Sequence, residues 1–119
     1  MNFTVIINAH PGSITAKSAL KFCQTLIETG SEIYRLFFYG EGVFNGIKNS
    51  DEKTCQHWRQ FISKNKVEAI CCVNSATQQA LELNTDFVEG FSVSGIGQLV
   101  DGLVNSDRII TFGKRVAFA

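Results

Sequence analysis

Two adjacent cysteines, Cys71 and Cys72, close a short apolar run from Val67 to Val73, and a helix-start pattern follows at once. A thiol becomes a nucleophile when it ionises. The end of a strand facing a helix N-terminus favours that ionisation, because the unpaired amides and the peptide dipoles there stabilise negative charge. It is also the edge at which open α/β sheets bind ligands. Successive side chains on a strand point to opposite faces, so the two sulfurs cannot share one pocket. Cys72 lies nearer the C-terminal edge and is the expected exposed, reactive one. The alternative is that both are core residues, since free cysteine is among the most buried residue types.

His10 is the second candidate. If the strands are ordered 2-1-3, their C-terminal ends gather His10 and Pro11, the segment Tyr39–Gly42, and Cys72. His10 is then expected near Cys72 as a proton acceptor or a stabilising cation. The alternative is a solvent-exposed histidine with no role. Glu41 could enter the same region, where a carboxylate would raise a thiol's pKa. Gly12 and Ser13, in the first strand-to-helix turn, could hold a phosphate at a helix N-terminus. Ser94-Gly95-Ile96-Gly97 is not a G-x-G-x-x-G fingerprint. No metal is expected: the spacing of Cys23, Cys55, Cys71 and Cys72 lacks paired zinc ligands, and His10 and His57 are far apart.

The elements that must position these residues follow from hydrophobic period. Residues 3–8 are short and β-rich. Ser13 to Glu28 has Ala16, Ala19, Leu20, Cys23, Leu26 and Ile27 at near-helical spacing, with Ser13 or Thr15 as cap and Gly30 beyond its end. Glu32 to Tyr39 reads as a second strand. Gly40 to Thr54 reads as a long loop, Cys55 to Lys64 as a short helix and Val67 to Val73 as a third strand. Ser75-Ala76-Thr77-Gln78 fits a capping box opening a short helix toward Leu83. Asn84 to Val93 is irregular, with a brief strand around Phe91. Ser94 to Asn105 is a helix with Ile96, Leu99, Val100, Leu103 and Val104 on one side, and Asp107 to Phe112 a last strand. Strand and helix alternate throughout, which predicts a mainly parallel sheet with helices on both faces.

The 119 residues fit one domain, and 45% hydrophobic content suffices for a core. The formal charge is zero with scattered basic residues, so no direct grip on nucleic acid is expected. No run approaches the about 20 apolar residues of a membrane span. Residues 1–9 lack the features of a signal peptide. The expected setting is the cytoplasm, where the four cysteines stay reduced. Ten phenylalanines are many for this size; Phe44, Phe87 and Phe91 either complete a Phe-rich core or meet another subunit.

Four segments in register carry a resemblance: residues 37–43 (Phe37-Phe38-Tyr39-Gly40-Glu41-Gly42-Val43), Ile70-Cys71-Cys72-Val73, residues 90–99, and residues 107–113. Together they resemble the DsrE/TusD family of small sulfur-relay proteins over nearly the whole chain. The resemblance implies a single flavodoxin-like, doubly wound α/β domain over residues 1–119, with four or five strands. It implies a sulfurtransferase that holds sulfane sulfur as a cysteine persulfide, in 2-thiolation of the tRNA wobble uridine or in sulfur oxidation. Cys72 before Val73 matches the family's active cysteine. Partners would be related small subunits in a hetero-oligomer, or further copies of this chain, together with sulfur-donor and sulfur-acceptor proteins; no cofactor is implied. The chain departs from the family pattern after Ala76, where Thr77-Gln78-Gln79 stands in place of a basic pair, and in a shorter loop before the second helix. Two rivals are a non-catalytic scaffold subunit with Cys72 buried, and a flavodoxin-like small-molecule binder using the Gly12-Ser13 turn.

Overall fold

The computed structural model describes residues 1–83 and 85–115. Its strands are β1 (Asn2–Asn8), β2 (Glu32–Phe38), β3 (Ala69–Cys72), β4 (Phe91–Ser94) and β5 (Arg108–Gly113). Its α-helices are α1 (Ile14–Glu28), α2 (Lys53–Asn65), α3 (Val73–Gln78) and α4 (Gly97–Asn105), and a 3-10 helix runs over Gly40–Gly46. The five strands are all parallel, in the order β4-β3-β2-β1-β5. This confirms the α/β, parallel, doubly wound class and corrects the order 2-1-3: β2, not β1, is the middle strand of the first three.

The order dictates the layers. From β1 through β4 the chain steps in one direction across the sheet, and right-handed crossovers then place α1, α2 and α3 on one face. The return from β4 to β5 runs the opposite way, which puts α4 on the other face, alone among the described helices. Strand alternation feeds both. Val5, Ile7, Leu36, Phe38, Ala69 and Cys71 point into the first core with Trp58, Phe61, Phe87 and Phe91. Trp58 meets Phe38 and Phe61 edge-on, at 5.3 and 6.3 Å between ring centroids. Ile6, Phe37, Ile70 and Cys72 point to the second face, where Leu99 of α4 closes a much smaller cluster. Each fully buried large apolar side chain contributes about 1.5–3 kcal/mol, so the first core carries most of the hydrophobic stabilisation.

α1 forms where the stripe and cap predict, whereas the helix expected from Ser75 toward Leu83 starts earlier and is shorter, at Val73–Gln78. On α1 the buried Ala16, Ala19, Leu20, Cys23 and Leu26 make one face, and the Ser13 hydroxyl accepts the Ala16 amide at 3.1 Å. Phe87 and Phe91 are core residues, whereas Phe44 is half-buried. The span expected as a loop, Gly40–Thr54, instead holds the 3-10 helix and the first residues of α2. Gly42 allows this: a Cβ there would collide with the Ile7 carbonyl oxygen. α4 starts at Gly97, because Ser94 is still paired with Cys72 in the sheet. Of its supposed apolar side only Leu99 is fully buried; Val100 and Val104 are 47% and 75% exposed. Asn84, expected to begin the irregular stretch, lies outside the described residues.

A register shift joins α4 to the sheet. Phe3 pairs with Ile33, but Thr4 pairs with Arg35, so Tyr34 is a bulged residue. A bulge re-aims side chains, and here both Tyr34 and Arg35 reach α4. The Tyr34 hydroxyl and the Arg35 guanidinium each donate to Asp101 Oδ2 at 2.8 Å. Arg35 also donates to the Gln98 carbonyl at 2.7 Å and to Glu68 at 2.8 Å. Thr4 Oγ1 donates to the Gly102 carbonyl at 3.2 Å.

Candidate functional site

β3 and β4 lie side by side, yet the connections that leave them go to opposite faces. α3 follows β3 and buries Ala76 in the first core; α4 follows β4 and buries Leu99 in the second. A crevice of this kind, outside the C-terminal ends of two strands whose crossovers diverge, is where ligands bind in open α/β sheets. Cys72 and Ser94 are its opposed residues. Beyond Ser94 the chain is uncrowded: a Cβ on Gly95 or Gly97 would find nothing within 4 Å.

The two cysteines face opposite ways, as the alternation requires. Cys71 lies in the first core; a Cβ on Gly46 would stand 3.2 Å from its sulfur, and burial raises its thiol pKa. Cys72 lies on the second face with Ile70, Phe37 and Leu99, and with the half-buried Tyr39 and Leu103. The expectation of an exposed Cys72 is corrected: it is 1% exposed in the isolated chain. Two members of that cluster, Leu99 and Leu103, are one turn apart on α4. The helix-end argument also changes. α3 begins directly at Val73, Cys72 occupies the cap position, and its side chain makes no capping hydrogen bond. Ser75, read as the cap, is buried and accepts the Gly40 amide at 2.9 Å, tying α3 to the 3-10 helix.

The strand order separates His10 from Cys72. β2 lies between the strands that carry them, a gap of two strand spacings, about 9–10 Å. His10 is exposed and rests against Phe44 with ring centroids 5.6 Å apart, and its Nδ1 accepts the Gly12 amide at 3.2 Å. Glu41 is exposed on the 3-10 helix. The Gly12-Ser13 turn is ill-suited to phosphate. The Ser13 hydroxyl is engaged with the His10 carbonyl and the Ala16 amide. A Cβ on Gly12 would lie 2.9 Å from the Glu52 carboxylate, a negative charge where an anion would sit. Among the described residues no three His, Cys, Asp or Glu side chains come together as a metal ion would need. No described helix is long and apolar enough to cross a membrane.

The other thiols are held as core groups. Burial pushes Cys23 up to about 12 and raises Cys55, whose sulfur donates to the Phe44 carbonyl at 3.4 Å.

The DsrE/DsrF-like family description matches residues 1–112. The chain belongs to that family. It is 30% identical to a sulfurtransferase TusD homolog of Pseudomonas aeruginosa, over 95% of this chain and 98% of the relative. It is 29% identical to a putative sulfurtransferase DsrE of Allochromatium vinosum, over 95% and 99%. In three dimensions it matches the YchN protein of E. coli with a TM-score of 0.80 at 18% identity, over 94% of this chain and 99% of the other. These matches agree with the sulfur-relay resemblance read from the four segments around Tyr39, Cys72, Gly95 and Arg108.

Sequence reasoning missed the Arg35–Asp101 tether that holds α4 over Cys72. A signal was present: a lone arginine inside the apolar run Ile33–Phe38 must find partners if that strand is buried.

Proposed function

We propose that this chain is a sulfurtransferase subunit that carries sulfane sulfur as a persulfide on Cys72 and passes it to a cysteine of a partner protein. The observation that carries the reading is the position of Cys72 at the crevice between β3 and β4, in a chain whose relatives are named sulfurtransferases. In the step, the Cys72 thiolate attacks the outer sulfur of a donor's persulfide. A new S–S bond forms at Cys72, the donor's S–S bond breaks, and the donor leaves as a thiolate. The acceptor cysteine then repeats the exchange on Cys72. Sulfur moves at its own oxidation level, so no outside oxidant or reductant is consumed. The pathway served is tRNA wobble-uridine 2-thiolation or sulfur oxidation, and the setting is the cytoplasm.

The burial of Cys72 adds a condition: Leu99 and Leu103 must withdraw before a partner's cysteine can reach the sulfur. α4 suits such a movement, because it is short and no other described helix lies on its face. Its exposed Ile96, Val100 and Val104 give a related subunit apolar side chains through which to shift it. His10 is left without a part in the exchange.

The same burial favours a second reading, a non-catalytic scaffold subunit with Cys72 as a core residue. Loading with a persulfide donor, followed by mass spectrometry of the intact protein, separates the two. The expected result is one added sulfur atom on the wild type and on Cys71→Ser, and none on Cys72→Ser. An adduct that survives Cys72→Ser removes the assignment, and a wild type that takes up no sulfur favours the scaffold.

A further inference from the structure

Away from Cys72, on the three-helix face, α1 and α2 lie side by side with a groove of about 660 Å³ between them. Both helices follow parallel neighbouring strands, so they run the same way and their N-termini share one end of the groove. The groove has an apolar floor and a basic rim. Leu20 and Phe61, each 6% exposed, form the floor. Lys17 and Lys21, one turn apart on α1, face His57 and Lys64, two turns apart on α2, and all four are exposed. One carboxylate, Glu28, lines it, at the end farther from the helix N-termini. Both ion pairs found among the described residues belong to Arg35, so no described carboxylate neutralises Lys17, Lys21 or Lys64. A chain with zero formal charge thus concentrates positive charge along one cleft, and the two helix dipoles add to it at the N-terminal end.

We infer that this groove docks an acidic amphipathic helical segment of a partner protein. Apolar side chains of the segment would lie on Leu20 and Phe61, and its carboxylates would reach the lysines on either side, the helix-in-groove mode of recognition. The charge pattern fixes the orientation: the more acidic end lies toward Lys17, Lys21 and His57, away from Glu28. A nucleic acid is the poorer fit. An apolar floor offers its backbone nothing, and three lysines neutralise few phosphates. The inference is independent of Cys72.

The probe is a fluorescein-labelled peptide of about four helical turns, with leucine at every third or fourth position and glutamate elsewhere. Fluorescence anisotropy at low salt is expected to show saturable binding to the intact protein that weakens as sodium chloride is raised. The double variant Lys17→Glu, Lys21→Glu is expected to bind about tenfold or more weakly, with an unchanged circular dichroism spectrum, which is about 1.4 kcal/mol. Lys64→Glu alone is expected to weaken binding by a smaller factor. The same peptide with lysine in place of glutamate is expected not to bind. Failure of the acidic peptide to bind, binding indifferent to all three lysine changes, or tighter binding of a single-stranded RNA oligonucleotide that the double variant abolishes would each overturn the inference. Sulfur loading of Cys72 is expected to be the same in the double variant, so this result and that of the persulfide experiment stand apart.

Discussion

Cys71 and Cys72, neighbours on one strand, put their sulfurs on opposite sides of the sheet. Cys71 is beneath the 3-10 helix, in the core that three helices cover. Cys72 is beneath α4, the only helix on its side among the described residues. Both are buried to the same degree in area, but the structure above each differs greatly. Four strand spacings of about 4.8 Å make the sheet roughly 19 Å wide, whereas a helix covers about 10 Å. The Cys72 side is thus covered by one short element, held largely by the contacts of Asp101, Gln98 and Gly102.

The first prediction concerns access. In the native protein at neutral pH, iodoacetamide is expected to modify Cys72 slowly but ahead of Cys23 and Cys71. Asp101→Asn weakens the contacts from Tyr34 and Arg35, and is expected to raise the Cys72 rate several-fold, a modest factor because the carboxylate is partly exposed and its ion pair is screened. Peptide mapping by mass spectrometry over time reads each site separately. An equal acceleration at Cys71 would point to loosening of the whole domain and would defeat the idea that α4 opens on its own.

A second prediction follows from the same tether in acid. Hydrogen bonds from Tyr34 and then Arg35 hold the Asp101 carboxyl below its ordinary value of 3.8. A depressed pKa in the folded state gives stability that is present above 3.8 and lost as pH falls through the folded value. Hydrogen-exchange protection of the α4 amides is expected to fall in that range while β1 keeps its protection. Asp101→Asn is expected to flatten this dependence, and an unchanged acid profile in that variant would count against the tether.

How much of this was legible beforehand depends on how local the cause is. The stripe on α1, the Ser13 cap and the opposite facing of the two cysteines follow from residue spacing alone, and the structure agrees. The strand order was not legible in that way, because helical and strand periods are silent about which strands pair. The order 2-1-3 obeyed the same handedness rule, and only the register of β2 between β1 and β3 excludes it. That one change removes His10 from Cys72. The exposure of Val100 and Val104 was not legible for a related reason: a period of 3.6 identifies an apolar side but not whether the fold supplies enough neighbours to bury it.

Alkaline pH supplies the third prediction. Burial raises the thiol pKa of Cys23 from 9.0 to about 12 and raises that of Cys71 as well. A raised folded pKa gives stability that is complete below the unfolded value and lost as pH climbs toward the folded one. Above pH 9 each such thiol is expected to remove about 1.4 kcal/mol of stability per pH unit. Urea midpoints measured across this range check it, and Cys23→Ala, though less stable at neutral pH, is expected to show a shallower slope. A slope equal to that of the wild type would exclude Cys23 as a contributor.

The last prediction tests the close approach of the 3-10 helix to β1. Gly42→Ala drives a methyl group into the backbone carbonyl of Ile7, which no side-chain rotation relieves. A loss of about 1–3 kcal/mol is expected, seen as a lower urea midpoint with an unchanged m-value. Gly97→Ala, with open space around it at the start of α4, is expected to be neutral or stabilising by up to about 1 kcal/mol. Equal losses in the two variants would mean that the 3-10 helix is not packed as closely as described.

Trp58 is the chain's single tryptophan, and it is fully buried between Phe38 and Phe61 on the side away from α4. Its indole nitrogen has no hydrogen-bond partner among the described residues. Intrinsic emission should therefore be blue-shifted and should report melting of the larger layer alone. Excursions of α4 that uncover Cys72 would be optically silent, and following them requires a dye or isotope label on the thinly covered side.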